Sequence, residues 1–363
     1  MFKIFAAFFF PTLVFSGTIN DQTFQNVKFK GYSVYTLKFT TTIVSSNSLK
    51  ENVPKNHVYD HLEFTDQNIP VLKENSISDL EDLDEITIAS CKLKEIEPGA
   101  FKNVGLLRQL SLKDNELEEI RNGVFNNLGL VALDLSNNRI KHIEADALSY
   151  LPRLLNINLA DNLIKSWDKR WFYKCPLLTR ISMQNNSIEK LAAEGFSNLN
   201  GNKKFGSVKL TMNLIFSYNK IREIDDNAFT GLGAINNLWL DNNQLTEFPD
   251  TLLEHVEVQD LRLEHNNITC LNGDLNQIIK AETSHMDGNP FDCNCLEKMK
   301  TWAKKHNNIV DVFYSDMNCV ADKLNKRMTD LEKRLRELKT DREVEERTQA
   351  GGIEDEVEIM FRK

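Results

Sequence analysis

The stretch LRQLSLKDNELEEI, Leu107 to Ile120, and the stretch LVALDLSNNRIKHI, Leu130 to Ile143, put apolar residues at the same places around Asn115 and Asn138. The shared spacing is LxxLxLxxNxLxxI. Outward from this pair the Asn position continues at Asn162, Asn186, Asn219, Asn243, Asn266 and Asn289, in steps of 23 or 24 residues except for one of 33. Toward the N-terminus Cys91 and Gln67 occupy it, the latter flanked by Leu62, Phe64, Ile69, Leu72, Ile77 and Leu80. Ten repeats are counted in this way over residues 59–291, the first and last atypical. A fixed period of this length is the signature of stacked units that cannot bury an apolar face singly.

The spacing also assigns roles. Residues alternate across a strand, so in LxL the two leucines point into the stack and the residue between them faces outward. The stacked inward column contains Leu110, Leu133, Ile157, Ile181, Leu214, Leu238 and Leu261. The Asn side chain turns inward, where its donors and acceptor satisfy backbone groups left as the chain quits the strand. A second apolar cluster, such as Phe125 with Leu128 or Phe229 with Leu232, closes each repeat on the opposite side. The 33-residue step carries a polar insertion near Asn200 to Val208 that reads as a surface loop.

Composition bounds the function. Of the 363 residues, 53 are acidic and 44 basic, a net charge of -9, which disfavours a nucleic-acid partner. Lys3, the apolar run Ile4 to Phe15, then Ser16 and Gly17 have the layout of a secretory signal peptide over residues 1–17. No later stretch is long and apolar enough to span a bilayer, so a secreted, extracellular protein is expected. Residues 18–58, rich in Thr, Ser, Val, Phe and Tyr, predict a small strand-rich N-terminal cap.

Six cysteines sort by register. Cys91 fills a ladder position and Cys175 a buried one, so both are expected as free thiols. Cys270 and Cys293 each lie four residues after a ladder Asn, in consecutive repeats about one strand spacing apart, roughly 4.8 Å. That predicts a Cys270–Cys293 bond and leaves Cys295 for Cys319, within a cysteine-rich flank over residues 292–320; a zinc site is the alternative. Beyond it, Leu324, Met328, Leu331, Leu335 and Leu338 form a seam of about two heptads. A short coiled-coil helix is expected over residues 321–347, pairing with another chain or lying back on the repeats, before a tail at 348–363.

Residues 59–319 resemble extracellular leucine-rich-repeat proteins with a cysteine-rich C-terminal flank, whose opening is similar to Asn289, Pro290, Phe291, Asp292, Cys293, Asn294, Cys295. The resemblance implies an α/β repeat fold, a leucine-rich-repeat solenoid (horseshoe) with a disulfide cap. Two features depart from that family: only Cys319 follows the CxC pair, and no cysteine-rich N-terminal flank is present. The order of parts also looks like the leucine-rich immune proteins of mosquitoes. That likeness implies innate immune recognition or an adaptor role, with another leucine-rich-repeat chain and a complement-like protein as partners. A matrix or adhesion protein, or a soluble modulator of a receptor or enzyme, is the other reading.

The outward residues of LxL run Glu63, Thr87, Ser111, Asp134, Asn158, Ser182, Ile215, Trp239, Arg262, His285. After Ser182 the row turns apolar and aromatic. Ile215, Trp239 and Arg262, with Tyr218 beside them, are the candidate protein-binding patch, since aromatic and Arg anchors dominate interface energetics. The competing reading is a Trp239–Arg262 cation–π pair that serves only itself. Asn185 and Asn267 stand in N-x-S/T sequons and are candidate glycan sites. His265, His285, Glu264 and Asp287 read as polar surface residues, not as a metal site. Neither a catalytic triad, a metal-binding HExxH nor a phosphate loop falls in the register, so no enzyme and no cofactor are expected.

Overall fold

A computed structural model describes residues 22–33, 38–53, 59–199, 204–205, 208–209, 211–279, 281–306 and 309–361. The signal-peptide reading of 1–17 lies outside these. The chain is a solenoid of stacked coils that divides into two units, Met1–Asn186 and Ser187–Lys363. No helix among the described residues is long and apolar enough to cross a membrane.

In the first unit, β1 (Phe24–Ser33) and β2 (Lys38–Ser46) form an antiparallel hairpin. The parallel stack follows as β3 (His61–Thr65), β4 (Glu85–Ala89), β5 (Gln109–Ser111), β6 (Ala132–Asp134), β7 (Asn156–Asn158) and β8 (Arg180–Ser182). Pairing is in register through Leu62, Ile86, Leu110, Leu133, Ile157 and Ile181, all buried. The hairpin closes the otherwise open edge, because β1 pairs antiparallel with β3 and sets Phe24 and Phe29 against Phe64 at ring separations of 6.0 and 5.4 Å. Gly31 permits this: a Cβ there would stand 2.6 Å from the Tyr59 ring.

The second unit repeats the plan with β9 (Met212–Ile215), β10 (Ala234–Trp239), β11 (Glu257–Arg262), β12 (Thr283–His285) and β13 (Ile309–Asp311). Its inward column is Leu214, Leu238, Leu261, Ser284 and Val310. Ser284 is buried with no hydrogen-bond partner for its hydroxyl, so the apolar column degrades toward the cap. The described pieces of the long insertion are two short antiparallel strands, Lys204–Phe205 and Val208–Lys209, where a loop was expected.

The asparagine ladder ties each coil to the one before. Asn138 Oδ1 accepts from the Leu117 amide at 3.1 Å while Nδ2 donates to the carbonyls of Leu112 and Leu135 at 3.0 and 3.1 Å. Asn243 does the same with the Ile221 amide and the Phe216 and Leu240 carbonyls at 2.9, 2.9 and 3.0 Å. Cys91 keeps the place with its thiol against the Phe64 and Ala89 carbonyls. Both Cys91 and Cys175 are buried free thiols, and burial pushes the Cys175 thiol up to about 11.

The disulfides differ from the expected pairing. Cys270 bonds Cys295 and Cys293 bonds Cys319, each with Cα atoms 5.5 Å apart. The expected Cys270–Cys293 and Cys295–Cys319 bonds assumed that Cys293 still follows the repeat path. Instead Asp292 accepts from the amides of Asn294 and Cys295 at 2.9 and 2.8 Å, which starts helix α2 (Cys293–His306) at the first cysteine. α1 is the single turn Leu275–Ile278. Two residues of helix turn the side chain by about 200°. Buried Cys295 therefore faces Cys270, and Cys293 faces Cys319 on α3 (Phe313–Phe361).

α3 also corrects an expectation. It runs 49 residues, longer than the 321–347 segment, and passes through Gly351 and Gly352. A glycine costs a helix about 1 kcal/mol relative to alanine but does not by itself stop one. The seam residues Leu324, Met328, Leu331, Leu335 and Leu338 are 55–65% exposed, so this stretch does not lie back on the repeats.

Candidate functional site

The second unit's strand face is built from residues the repeat leaves free. Register places Ile215, Trp239, Arg262 and His285 side by side on β9 to β12. The structure separates them in character. Ile215 is only 2% exposed and is not available to a ligand. At the same register on the next strand stands Trp239. Tyr218, just past β9, is 59% exposed and holds a left-handed backbone at φ 57°. The equivalent places hold Asp114, Asn137, Asp161, Asn185, Asn242 and His265, mostly types that tolerate that conformation.

Trp239 and Arg262 form one unit. The guanidinium carbon lies 4.1 Å from the centre of the indole. Asp260 organises both: it accepts from Trp239 Nε1 at 2.8 Å and from Arg262 Nε at 3.2 Å. Its other oxygen accepts from Thr283 Oγ1 at 3.1 Å and lies 3.4 Å from His285 Nε2. Across the ring, His285 Nδ1 is 3.8 Å from Asp311. The indole is thus held at both its face and its N–H, and the Arg262 side chain remains 38% exposed. Such a platform is pre-organised, and an immobilised side chain loses little entropy on contact with a partner.

Beside this cluster runs a row of acids: Asp241, Glu264 and Asp287. Asp241 accepts from Ser217 Oγ at 2.5 Å and from Asn242 Nδ2 at 2.8 Å. Glu264 has one buried carboxylate oxygen without a hydrogen bond. Burial, with the nearby Asp241 charge adding to it, pushes the Glu264 carboxyl above its ordinary range. Among the described residues no three His, Cys, Asp or Glu side chains are grouped to hold a metal ion. Both sequon asparagines, Asn185 and Asn267, are exposed, and Asn185 Nδ2 donates to Asp161 at 2.6 Å.

A cavity in the first unit escaped the sequence reading. A cavity of about 700 Å³ is lined by residues that include Asp60, His61, Asp84, Arg108, Val131 and Leu155. Arg108 grips Asp84 through Nε and, at 2.8 Å, Nη2, and holds its carboxyl below the usual range. His61 Nε2 stands 3.2 Å from Glu85. The signal was present: Asp60, Asp84 and Arg108 recur at one repeat period just ahead of the strands, a position the LxL reading passes over.

The family model described as leucine rich repeat matches residues 81–137, 106–164, 128–188, 152–201 and 204–274, together more than half of the chain. Keratocan of Danio rerio is 36% identical over 194 residues, covering 52% of this chain and 44% of that one. Human mimecan is 31% identical over 164 residues, covering 42% and 50%. Mouse CD180 antigen is 28% identical over 165 residues, covering 45% and 24%. The chain thus spans half or less of the length of these relatives. Among solved structures, the mouse RP105/MD-1 complex matches with a TM-score of 0.59 at 24% identity, covering 69% of this chain and 42% of that one. The Toll–Spatzle complex of Drosophila matches at 0.53 and 20%, covering 64% and 32%.

Proposed function

Since the chain belongs to the leucine-rich repeat family, we propose that it is a secreted scaffold that binds a protein partner through the β9–β12 face of its second unit. The observation that carries this reading is the Trp239–Arg262–Asp260 cluster: an aromatic and an arginine, the residue types enriched at binding hot spots, fixed by hydrogen bonds and left partly open. The cation–π pair that sequence reading set against a binding role is the means by which the patch is pre-organised. Tyr218 extends the patch, and Ile215 drops out of it. Secretion is supported by the leader-like residues 1–17 and by two disulfides, which persist in oxidising compartments. N-glycans at exposed Asn185 and Asn267 belong to the same proposal.

Within that scaffold role, the reading is innate immune recognition or an adaptor function. It draws on the likeness of the order of parts to that of the leucine-rich immune proteins of mosquitoes and on the match to CD180 antigen. A complement-like protein is the proposed ligand, and a second leucine-rich-repeat chain the proposed partner of α3, whose apolar seam is open along its length. The matches to keratocan and mimecan favour a matrix role as the second reading.

The test is a non-reducing pull-down of the secreted protein from extracellular fluid, with light scattering of the full chain and of one ending at Val320. A complement-like partner, with a dimer lost on truncation, supports the immune reading. A monomer that captures only matrix components moves the protein to the second.

A further inference from the structure

We infer that the solvent face of α2 is a binding surface for sulfated glycosaminoglycan chains, separate from the protein-binding face of β9–β12. The helix buries Cys295, Leu296, Met299 and Ala303 against the cap and turns Lys298, Lys304, Lys305 and His306 to solvent. In a chain with more acidic than basic residues, these 14 residues carry four lysines and a histidine against one acid, Glu297. Lys300 is paired with Asp316 at 2.8 Å. Lys298, Lys304 and Lys305 have no acidic partner among the described residues, unlike Lys50, Lys141 and Lys190, which each sit on one.

Complementing the helix dipole accounts for basic residues in the last turn, Lys304, Lys305 and His306. It does not account for Lys298, whose position nearer the N-terminus gains nothing from the dipole. Lys298, Trp302 and Lys305 follow i, i+4, i+7 spacing and lie on one stripe about 10 Å long. The Trp302 ring is held in place by its Nε1 bond to Asn276 at 3.0 Å and by stacking on His306 at 4.6 Å. The result is an exposed row of positive charge around a fixed aromatic plane, matched to a linear polyanion made of sugar rings.

The burial pattern selects the sugar polymer over a lipid surface. A helix that binds a bilayer lays an apolar face into it. Here the apolar face is already consumed by the cap, and the Trp302 indole is committed to Asn276.

The experiment is chromatography of the full chain on immobilised heparin, with hyaluronan, which lacks sulfate, and phosphatidylserine vesicles as comparators. Three lysine contacts released by salt predict an affinity that falls about 20-fold between about 50 and 200 mM salt. The Lys298→Gln/Lys304→Gln/Lys305→Gln variant is expected to lose heparin retention with an unchanged melting temperature, and the corresponding triple Arg variant to keep it. Trp239→Ala is expected to be retained like the parent, which separates this surface from the protein-binding face. Absence of retention by the parent, equal retention of the triple Gln variant, or equal binding to hyaluronan or to the vesicles overturns the proposal.

Discussion

The strand faces of the two units are built on one backbone pattern and present different chemistry. Along β3 to β8 the outward residues are Glu63, Thr87, Ser111, Asp134, Asn158 and Ser182, short and polar. Along β9 to β12 they are Ile215, Trp239, Arg262 and His285, with Asp260 bonding three of its neighbours. The inward columns and the ladder follow one plan in both units, with Ser284 in the second column and Cys91 in the first ladder as departures. What the repeat requires is conserved in its geometry, and what it leaves free is where the two units diverge. The proposed binding face uses the second set of positions.

Breaking the common part should hurt both units alike. Asn138→Ala and Asn243→Ala each remove one accepted bond and donated contacts to three carbonyls, two of them fully buried. Each is expected to cost about 3 to 4 kcal/mol, since a buried partner left unsatisfied costs about 1 to 3 kcal/mol. Urea unfolding of both variants measures this, and a loss in one unit only would show that the ladders are not equivalent. Next in size is the cap: Cys270→Ser with Cys295→Ser should lower stability by about 3 kcal/mol for a loop of this length. Peptide mapping without reduction should recover Cys270 with Cys295 and Cys293 with Cys319.

The divergent part should respond in binding and not in folding. Trp239→Ala is expected to weaken partner capture by about 30-fold or more, a hot-spot loss of at least about 2 kcal/mol, while Ser111→Ala changes it little. Equal affinities for the two variants would remove the face from the proposal. The smallest effect concerns Glu264. Its carboxyl titrates above its unfolded range, so its cost to stability is absent below the unfolded pKa and develops as pH rises through the folded one. Glu264→Gln should therefore melt higher than the parent at neutral pH, with the gain vanishing in acid. A gain that persists in acid would assign the effect to something other than charge burial.

Much of the architecture was legible because the period of the repeat is itself a packing requirement. Leu110, Leu133 and Asn138 could be assigned to the interior from spacing alone, and they lie there. The candidate patch was legible in part. Trp239 and Arg262 were found because large residues at an outward position stand out, but Ile215 was misread because exposure depends on the neighbouring strand. Asp260, which organises the patch, was passed over, since it sits one outward position earlier, where nothing in the repeat marks it. The cavity near Asp84 and Arg108 was missed for the same reason.

The disulfides make the division sharp. Cys270 and Cys293 occupy equivalent places in the period, so periodicity alone pairs them. Asp292 ends that period by starting a helix, and a helix sends residues two apart in nearly opposite directions, which re-pairs all four thiols. From its sequence alone the protein had a repeat, a period, an inward column and an asparagine ladder, because those follow from local alternation and from the need to bury each coil against the next. Which outward residues are open, which acid holds the tryptophan and which cysteines meet were decided by the tertiary structure, because each depends on a neighbour one coil or one helix away.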